Sequence, residues 1–293
     1  KEAMLNFSSV TNLSNWQILL VLFLIIFDGV VWGWIVFDQP NKNTELYFLD
    51  VGQGDSELVI LPNGPKVLID GGPNNKVINE LASVLRPTDR YIDLILLSHP
   101  QTDHFTGLID VLKRYQVGVF IFNGRSGTVD SWSKLIKVIK ENKIPAVVLA
   151  AGDKIHYLNS QFNFLLPDKN FIESTDLNET TLVSLLQSQN SKILFTGDID
   201  AKIEDYLIRK YDLDIDVLKV SHHGSKFSSG EKFLSNISPK IAVIEVGKNS
   251  YGHPTKEVLK NLASVGAQIF RTDKDGTIKL LINNQGISIF KKK

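Results

Sequence analysis

The chain lacks cysteine entirely, and its 293 residues include only six histidines. Without cysteine there is no disulfide, no thiolate nucleophile and no cysteine-based zinc site, so a metal ion would have to be bound by His, Asp, Glu or water. A surplus of charge of one sign is also missing, because 32 basic residues balance 32 acidic ones. The overall charge therefore gives no indication of binding to nucleic acid or to an anionic membrane, and any such binding has to be local.

One long hydrophobic run is present near the N-terminus, from Asn15 to Phe37. It is long enough to cross the hydrocarbon core of a bilayer, and its tryptophans suit the two interfaces. We therefore predict an N-terminal segment of residues 1–37 with a transmembrane helix over about 15–37. A buried core helix or a secretory signal is the alternative interpretation. A chain that opens on Lys1 rather than Met also suggests a fragment or processed form of a longer protein.

The distribution of polar and apolar residues changes after this hydrophobic run. A polar stretch with Pro40 predicts a linker over 38–44, and short apolar runs separated by turn residues predict a domain over 45–293. Helical periodicity falls at about 76–86, 104–115, 130–142, 201–211 and 255–265. Strand-like runs are LYFLDV, ELVIL, KVLID, LILLS, VGVFIF, AVVLA, FNFLL, TLVSLL, KILFTG, IDVLKV, IAVIEV, AQIFRT and TIKLLI. Early strands are close neighbours while later ones alternate with helices, so we predict an α/β (α+β) fold of mixed sheets covered by helices.

Histidines and aspartates follow several of the predicted strands directly. They are His99, Asp103 and His104 after LILLS, Asp198 after KILFTG, His222 and His223 after IDVLKV, and His253 after IAVIEV. Strand ends in layered α/β folds are where loops converge into sites, so we expect these groups to meet at one rim. Each residue alone is explained as a turn, cap, surface or core residue. Imidazoles and carboxylates together are ligands for Zn²⁺, Mn²⁺ or Fe, so the combination predicts a metal site with Asp198 as the candidate for bridging two ions.

Several short motifs carry a resemblance to a known family. HPQTDH at 99–104, TGD at 196–198 and SHHGS at 221–225 resemble the metallo-β-lactamase fold. More narrowly, FLDVGQGDSELVI, LIDGG, LKVSHHGS and NSYGHP are similar to the C-terminal domain of ComEC-type competence proteins, which are bacterial membrane proteins for DNA uptake. The resemblance covers about residues 45–283. It implies a four-layer αββα sandwich with a metal site on one edge, preceded by the transmembrane helix.

The resemblance also implies which residues hold metal. The implied ligands are His99 for a first ion, Asp103, His104 and His222 for a second ion, and Asp198 for both. The reverse assignment of the neighbouring pair His222 and His223 stays open. The implied cofactor is one or two divalent ions, Zn²⁺ or Mn²⁺.

The remaining implied roles concern the substrate. The implied substrate contacts are His223, Ser225, Asn249 and Gln101, and the implied catalytic residues are Asp103 and His253. His253 would donate a proton to the leaving oxygen, for which an imidazole of near-neutral pKa is suited, although a turn residue before Pro254 is the alternative. Asp70 and the glycines of LIDGG are interpreted as a tight turn that shapes the rim. Only the family pattern suggests a substrate contact by Asp55.

This chain departs from the family pattern at Gln101. The ComEC-type loop carries Asp at that place, and an amide without negative charge binds a metal ion weakly. Metallo-β-lactamase enzymes also carry a histidine between this loop and TGD, where the chain has only His156, interpreted as lying on a surface turn. The ComEC-like counterpart is DLNETTLVSLL, in which Asp176 or Asn178 is expected to point at the site. We therefore predict one good metal site and one compromised site.

The leading functional hypothesis is a membrane-anchored, metal-dependent hydrolase, a phosphodiesterase or nuclease that acts on DNA during DNA uptake. The resemblance implies single-stranded DNA as the substrate, a bacterial cell membrane location with the domain on the extracytoplasmic side, and a membrane channel bundle as a partner. Two alternatives stay open: a DNA-channel module that Gln101 has weakened or inactivated, and a hydrolase of small phosphodiesters such as phosphocholine esters. Lysines that are candidates for local phosphate contacts are Lys219, Lys226, Lys232 and Lys248.

Overall fold

The computed structural model describes residues 14–37 and 41–292, and the chain divides into the units Lys1–Asn41 and Lys42–Lys293. In the first unit, helix α1 (Asn15–Phe37) forms over the predicted hydrophobic run. Its stretch Asn15–Gly33 is long and apolar enough to cross a membrane. The predicted linker over 38–44 falls partly outside the described residues.

The second unit is a mixed α/β structure, as predicted. Its helices are α2 Lys76–Val84, α3 Thr102–Phe105, α4 Leu108–Arg114, α5 Asp130–Glu141, α6 Ala201–Lys210, α7 Glu231–Ile237, α8 Lys256–Ser264 and α9 Thr272–Asp275. Its strands are β1 Thr44–Phe48, β2 Glu57–Ile60, β3 Lys66–Ile69, β4 Tyr91–Leu96, β5 Gln116–Phe122, β6 Ala146–Val148, β7 Lys154–Tyr157, β8 Ser160–Phe164, β9 Ser184–Ser188, β10 Ser191–Phe195, β11 Val217–Lys219, β12 Ile241–Ile244, β13 Gln268–Arg271, β14 Ile278–Asn283 and β15 Gly286–Lys291.

These strands form two sheets. One has eight strands in the order β15-β14-β1-β2-β3-β4-β5-β6, and the other has seven in the order β13-β12-β11-β10-β9-β8-β7. Strands β3 to β6 are parallel to one another in the first sheet, and β10 to β13 are parallel in the second. The loops that follow parallel strands leave a sheet at the same edge. The loops after β10, β11 and β12 therefore lie side by side.

Three separate hydrophobic cores show that the sandwich has four layers. One core lies between the two sheets, the second between the eight-stranded sheet and α2, α4 and α5, and the third between the seven-stranded sheet and α6, α7 and α8. Because side chains alternate across a strand, Val217 faces the inter-sheet core while Leu218 faces the helices. The predicted αββα sandwich is confirmed.

Most predicted helices form close to their expected positions, but the one predicted over 104–115 is broken into α3 and α4. The break lies at Gly107, where a Cβ atom would collide with the backbone oxygen of Gly71. Glycine is thus required for the close approach of two backbones. The backbone N–H of Gly107 also donates to the oxygen of Gly72 at 2.9 Å, so the LIDGG turn packs directly against the segment that carries HPQTDH.

The sequence patterns missed β7, β15 and the short helices α7 and α9. Both missed strands are edge strands, and neither contains a buried residue, because their positions are all exposed or half-buried. An edge strand needs fewer apolar residues, so its periodicity is weak. This explains why the interpretation of His156 was wrong: it lies in strand β7 with an exposed side chain, not on a turn.

Candidate metal centre

The candidate ligands come from three loops that follow strands and from the short helix α3. His99 follows β4, Asp198 follows β10, and the histidine pair 222–223 follows β11. Helix α3 presents Asp103 and His104, and the backbone N–H of His104 donates to the oxygen of Gln101 at 3.0 Å. The structure brings these groups from both sheets to one edge of the sandwich.

Four side chains there form a compact group of potential metal ligands. Asp103, His104, Asp198 and His223 each offer one ligand atom, and these atoms all lie within 4.8 Å of one another. The Nε2 atom of His104 lies 3.3 Å from Oδ2 of Asp198, and the Nε2 atom of His223 lies 3.4 Å from Oδ2 of Asp103. Two imidazoles and two carboxylates are a donor set that suits Zn²⁺ or Mn²⁺.

Several buried polar atoms at this centre have no hydrogen-bond partner within the described part of the chain. They are Nε2 of His99, Nε2 of His104 and Oδ1 of Asp198. A buried polar group without a partner is costly, so groups arranged in this way fit a bound cation that would satisfy them. The ring of His99 lies 4.2 Å from that of His104, which places it beside the four-residue group.

The two neighbouring histidines after β11 point in different directions. Both have positive φ, 50° for His222 and 53° for His223, which is unusual for residues other than glycine. The Nδ1 atom of His223 lies 2.9 Å from the backbone oxygen of Glu245, which leaves Nε2 to face the carboxylates. His222 is partly exposed, and its Nε2 atom lies 3.9 Å from Asp198. The geometry therefore places His223, rather than the expected His222, in the four-residue group.

Asp70 supports the centre in a way that the sequence patterns did not indicate. Its φ of 53° agrees with the predicted tight turn. Its carboxylate, however, is buried and lies 2.8 Å from Nδ1 of His104, and it accepts hydrogen bonds from the backbone N–H and the hydroxyl of Ser98. A carboxylate on the far nitrogen of a ligating imidazole sets the orientation and tautomer of that ring.

Lys219 does not supply a surface phosphate contact, because its side chain is fully buried. It forms an ion pair with Asp55, lies 3.8 Å from Oδ1 of Asp198, and donates to the backbone oxygen of Gly197 at 3.1 Å. The physical reason is strand alternation: position 219 is on the same face of β11 as Val217, which faces the inter-sheet core. Asp55 is likewise buried rather than available to a substrate.

Burial and the neighbouring charges together set the pKa values of the histidines at the centre. Burial alone would lower the pKa of His223, but Asp198 and Asp55 raise this pKa to about 10. The pKa of His104 is also raised well above its usual value, because Asp198 and its acidic neighbours outweigh burial. For His99, burial and the nearby His104 lower the pKa to about 3. His99 is therefore neutral, with an unpartnered nitrogen that is free to bind a metal ion.

The side chain of Gln101 forms a hydrogen bond with Asn178, in the DLNETTLVSLL segment that was expected to approach the site. Its Nε2 atom donates a hydrogen bond to Oδ1 of Asn178, which lies in a 3₁₀ turn over Asn178–Thr180. Asn178 is in turn held by its own N–H, which donates to Asp176 at 3.0 Å. At the place where the family pattern has a carboxylate, this chain has a neutral pair of amides.

The loop with NSYGHP is held together by Asn249. The Nδ2 atom of Asn249 donates to the backbone oxygens of Gly247 and His253, both at 2.9 Å, and its Oδ1 accepts from the N–H of His253. The ring of His253 lies 5.9 Å from that of His222. Burial and the neighbouring His222 lower the pKa of His253. Ser225 is buried, and its hydroxyl accepts from the N–H of Phe227 at 3.3 Å.

Comparisons with known proteins concern the family and the fold of this chain. The family model described as Metallo-beta-lactamase superfamily matches residues 49–247. The chain is 29% identical over 272 residues to ComE operon protein 3 of Bacillus subtilis, covering 86% of this chain and 35% of the relative. It is 28% identical over 252 residues to competence protein ComA of Neisseria gonorrhoeae, covering 85% of this chain and 34% of the relative. The chain thus spans about a third of the length of these curated relatives.

A solved structure supports the same fold. The metallo-beta-lactamase fold protein YhfI of Bacillus subtilis matches with a TM-score of 0.55 at 9% identity, covering 80% of this chain and 99% of that chain. At this identity the likeness establishes the fold alone. The expected resemblance to ComEC-type competence proteins is confirmed by the relatives.

Proposed function

The chain belongs to the metallo-β-lactamase superfamily, and from this premise we propose that residues 42–293 form a metal-dependent phosphodiesterase that hydrolyses DNA. The observation that carries the proposal is the four-residue group with its buried, unpartnered nitrogen and oxygen atoms. Buried nitrogen and oxygen atoms without hydrogen-bond partners destabilise the fold, and a bound cation would satisfy them.

Asp103, His104, Asp198 and His223 would hold one divalent ion, Zn²⁺ or Mn²⁺. Bound there, the ion would supply charge stabilisation at a phosphoryl oxygen and activation of water. His99 and the other side of Asp198 would form a second, weaker position, because Gln101 contributes no negative charge. We propose that this second position fills only in the presence of substrate phosphate.

The proposed role of His253 is proton donation to the leaving oxygen. Its place beside His222 supports this role, since the Nε2 atom of His222 lies 3.9 Å from Asp198 of the four-residue group. The negative charge of a bound phosphodiester would favour the protonated imidazole and so offset the lowered pKa of His253. His222, whose side chain is partly exposed, would then lie on the substrate side of the centre.

We further propose that α1 anchors this domain in the bacterial cell membrane, with the domain on the extracytoplasmic side. The apolar helix supports membrane association. The competence protein among the relatives supports a role in DNA uptake, with single-stranded DNA as the substrate and a membrane channel bundle as a partner.

The direct test is cleavage of an end-labelled DNA strand by the purified full chain in detergent, with Mn²⁺ or Zn²⁺ supplied. We expect cleavage with the ion and none after chelation. Metal uptake without cleavage of DNA, but with cleavage of a small phosphodiester, would instead support the hydrolase of small esters. Metal uptake without any hydrolysis would support the inactive channel module.

The two histidines after β11 should differ strongly in their effect on metal binding. We expect His223→Ala to weaken binding of the first ion by about 100-fold or more and His222→Ala by less than about tenfold, since only His223 lies in the four-residue group. Isothermal titration of the two variants with Zn²⁺ measures this difference. A larger loss in His222→Ala would restore the assignment that the resemblance implied.

Replacing Gln101 by Asp should strengthen the second metal position. The added carboxylate would lie beside the neutral His99, so we expect the number of Mn²⁺ ions bound at saturation to rise from about one to about two. Elemental analysis after dialysis against Mn²⁺ gives this number. Thr102→Asp adds the same charge at the neighbouring exposed position and should leave it unchanged. An equal increase in both variants would show a general charge effect instead.

A further inference from the structure

The two most exposed aromatic side chains of the described residues 42–292 lie in the two segments that carry the histidine pair 222–223 and His253. Phe227 is 63% exposed and Tyr251 is 73% exposed, compared with 52% for Phe290. Phe227 follows the SHHGS motif in the chain, and Tyr251 precedes His253 in NSYGHP. Large aromatic side chains gain stability when they are buried, so two such rings exposed beside one site indicate a ligand surface.

The segments that carry these rings are anchored, so their exposure is not a result of loose loops. The backbone oxygen of Phe227 accepts from the N–H of Ala201 at 2.8 Å, directly after the Asp198 turn. The Tyr251 loop is closed by the hydrogen bonds of Asn249. The N–H of Thr255 also donates to the backbone oxygen of Gly224 at 3.0 Å, which ties the two segments to each other.

The ring of Tyr251 is connected to the candidate metal centre through two histidine rings. The ring of Tyr251 lies 5.7 Å from that of His253, which lies 5.9 Å from that of His222. The ammonium of Lys226 lies 4.9 Å from the centre of the Phe227 ring. Two exposed rings, one of them with a cation beside it, match a ligand in which flat bases alternate with phosphates.

We propose that Phe227 and Tyr251 form a stacking site for the bases of a single-stranded nucleic acid, one on each side of the phosphate that enters the metal centre. This inference rests on the proposed function and specifies its substrate. Bases in a duplex are already stacked on their neighbours, so only an unpaired strand offers its faces to these rings. Stacking of this kind tolerates any base, in keeping with a substrate that is not selected by sequence.

The test is fluorescence anisotropy of the full chain in detergent with two labelled probes, a single-stranded oligonucleotide and an abasic sugar-phosphate strand of equal length. We expect Phe227→Ala and Tyr251→Ala each to weaken binding of the base-bearing strand by roughly 5- to 150-fold, the range measured for single stacked bases. Binding of the abasic strand should be the same in all forms. Tyr251→Trp should retain binding, and Phe290→Ala is the control for an exposed aromatic residue in edge strand β15.

The outcomes separate this inference from the proposed hydrolysis. Base-dependent binding that is lost in the two alanine variants supports the stacking site even if no strand is cleaved. Cleavage by the native chain with unchanged affinity in both variants would overturn the stacking site and leave the hydrolysis standing. Equal loss of affinity for the abasic strand would also overturn it, since the variants would then act through loop structure or charge.

Discussion

Asp198→Asn should abolish metal binding and DNA hydrolysis together. The substitution keeps the shape of the side chain but removes the negative charge that faces His104, His223 and Lys219. Loss of a partner that merely orients a ligand costs about 10- to 100-fold in metal affinity, so loss of a central ligand should cost more than about 100-fold. Isothermal titration with Zn²⁺ and a strand-cleavage assay on the same preparation measure both effects.

Asp200→Asn is a matched control for this variant. Asp200 is the N-cap of α6, and its carboxylate accepts the N–H of Ile203 at 3.1 Å. Asparagine is an equally good N-cap, so folding, metal binding and cleavage should all be retained. If Asp198→Asn still binds metal as tightly as the native chain, the four-residue group is not the metal centre.

Lys219→Met should cause the largest loss of stability among the predictions. Methionine fills similar space, but it leaves the carboxylates of Asp55 and Asp198 buried without their cation. Removing one partner of a buried ion pair costs about 3–5 kcal/mol, because the remaining charge is uncompensated. Urea denaturation followed by circular dichroism, with chelator present so that metal does not compensate, measures this change.

A second substitution distinguishes the charge from the packing in this prediction. Adding Asp55→Asn to Lys219→Met removes one of the two buried carboxylates that have lost their cation. The double variant should therefore recover part of the lost stability. Lys240→Met is the surface control: its ion pair with Asp216 at 2.7 Å is exposed on the lysine side, and exposed pairs contribute little. Equal destabilisation by Lys240→Met and Lys219→Met would contradict the role of burial.

Much of the fold was predictable because strands and helices leave periodic patterns. Helices α2, α5, α6 and α8 arise where apolar residues recur with helical spacing, and the central strands arise from short apolar runs. The edge strands β7 and β15 were not predicted, because a strand without buried positions resembles a loop in its sequence. The break between α3 and α4 was not predicted either, because it depends on the contact between Gly107 and Gly71, which are distant in the sequence.

The surroundings of the site were less predictable than its members. His99, Asp103, His104 and Asp198 were recognisable from their place after strands and from the family motifs. Lys219 was interpreted as a candidate for a phosphate contact, although its alternation with Val217 along β11 was a usable signal that it faces inward. Asp70 was recognised only as a turn, since nothing in its neighbourhood indicates that its carboxylate meets His104.

The sequence by itself determined the class of fold, the apolar N-terminal helix and the supply of imidazoles and carboxylates at strand ends, because these follow from local periodicity and residue type. Only the tertiary structure decided which of the two histidines after β11 joins the carboxylates. Adjacent residues in a left-handed turn point in different directions, and the hydrogen bond from His223 to Glu245 settles the choice across two strands. The burial of Lys219 with Asp55 was decided in the same way, since an ion pair between distant residues depends on how the strands assemble.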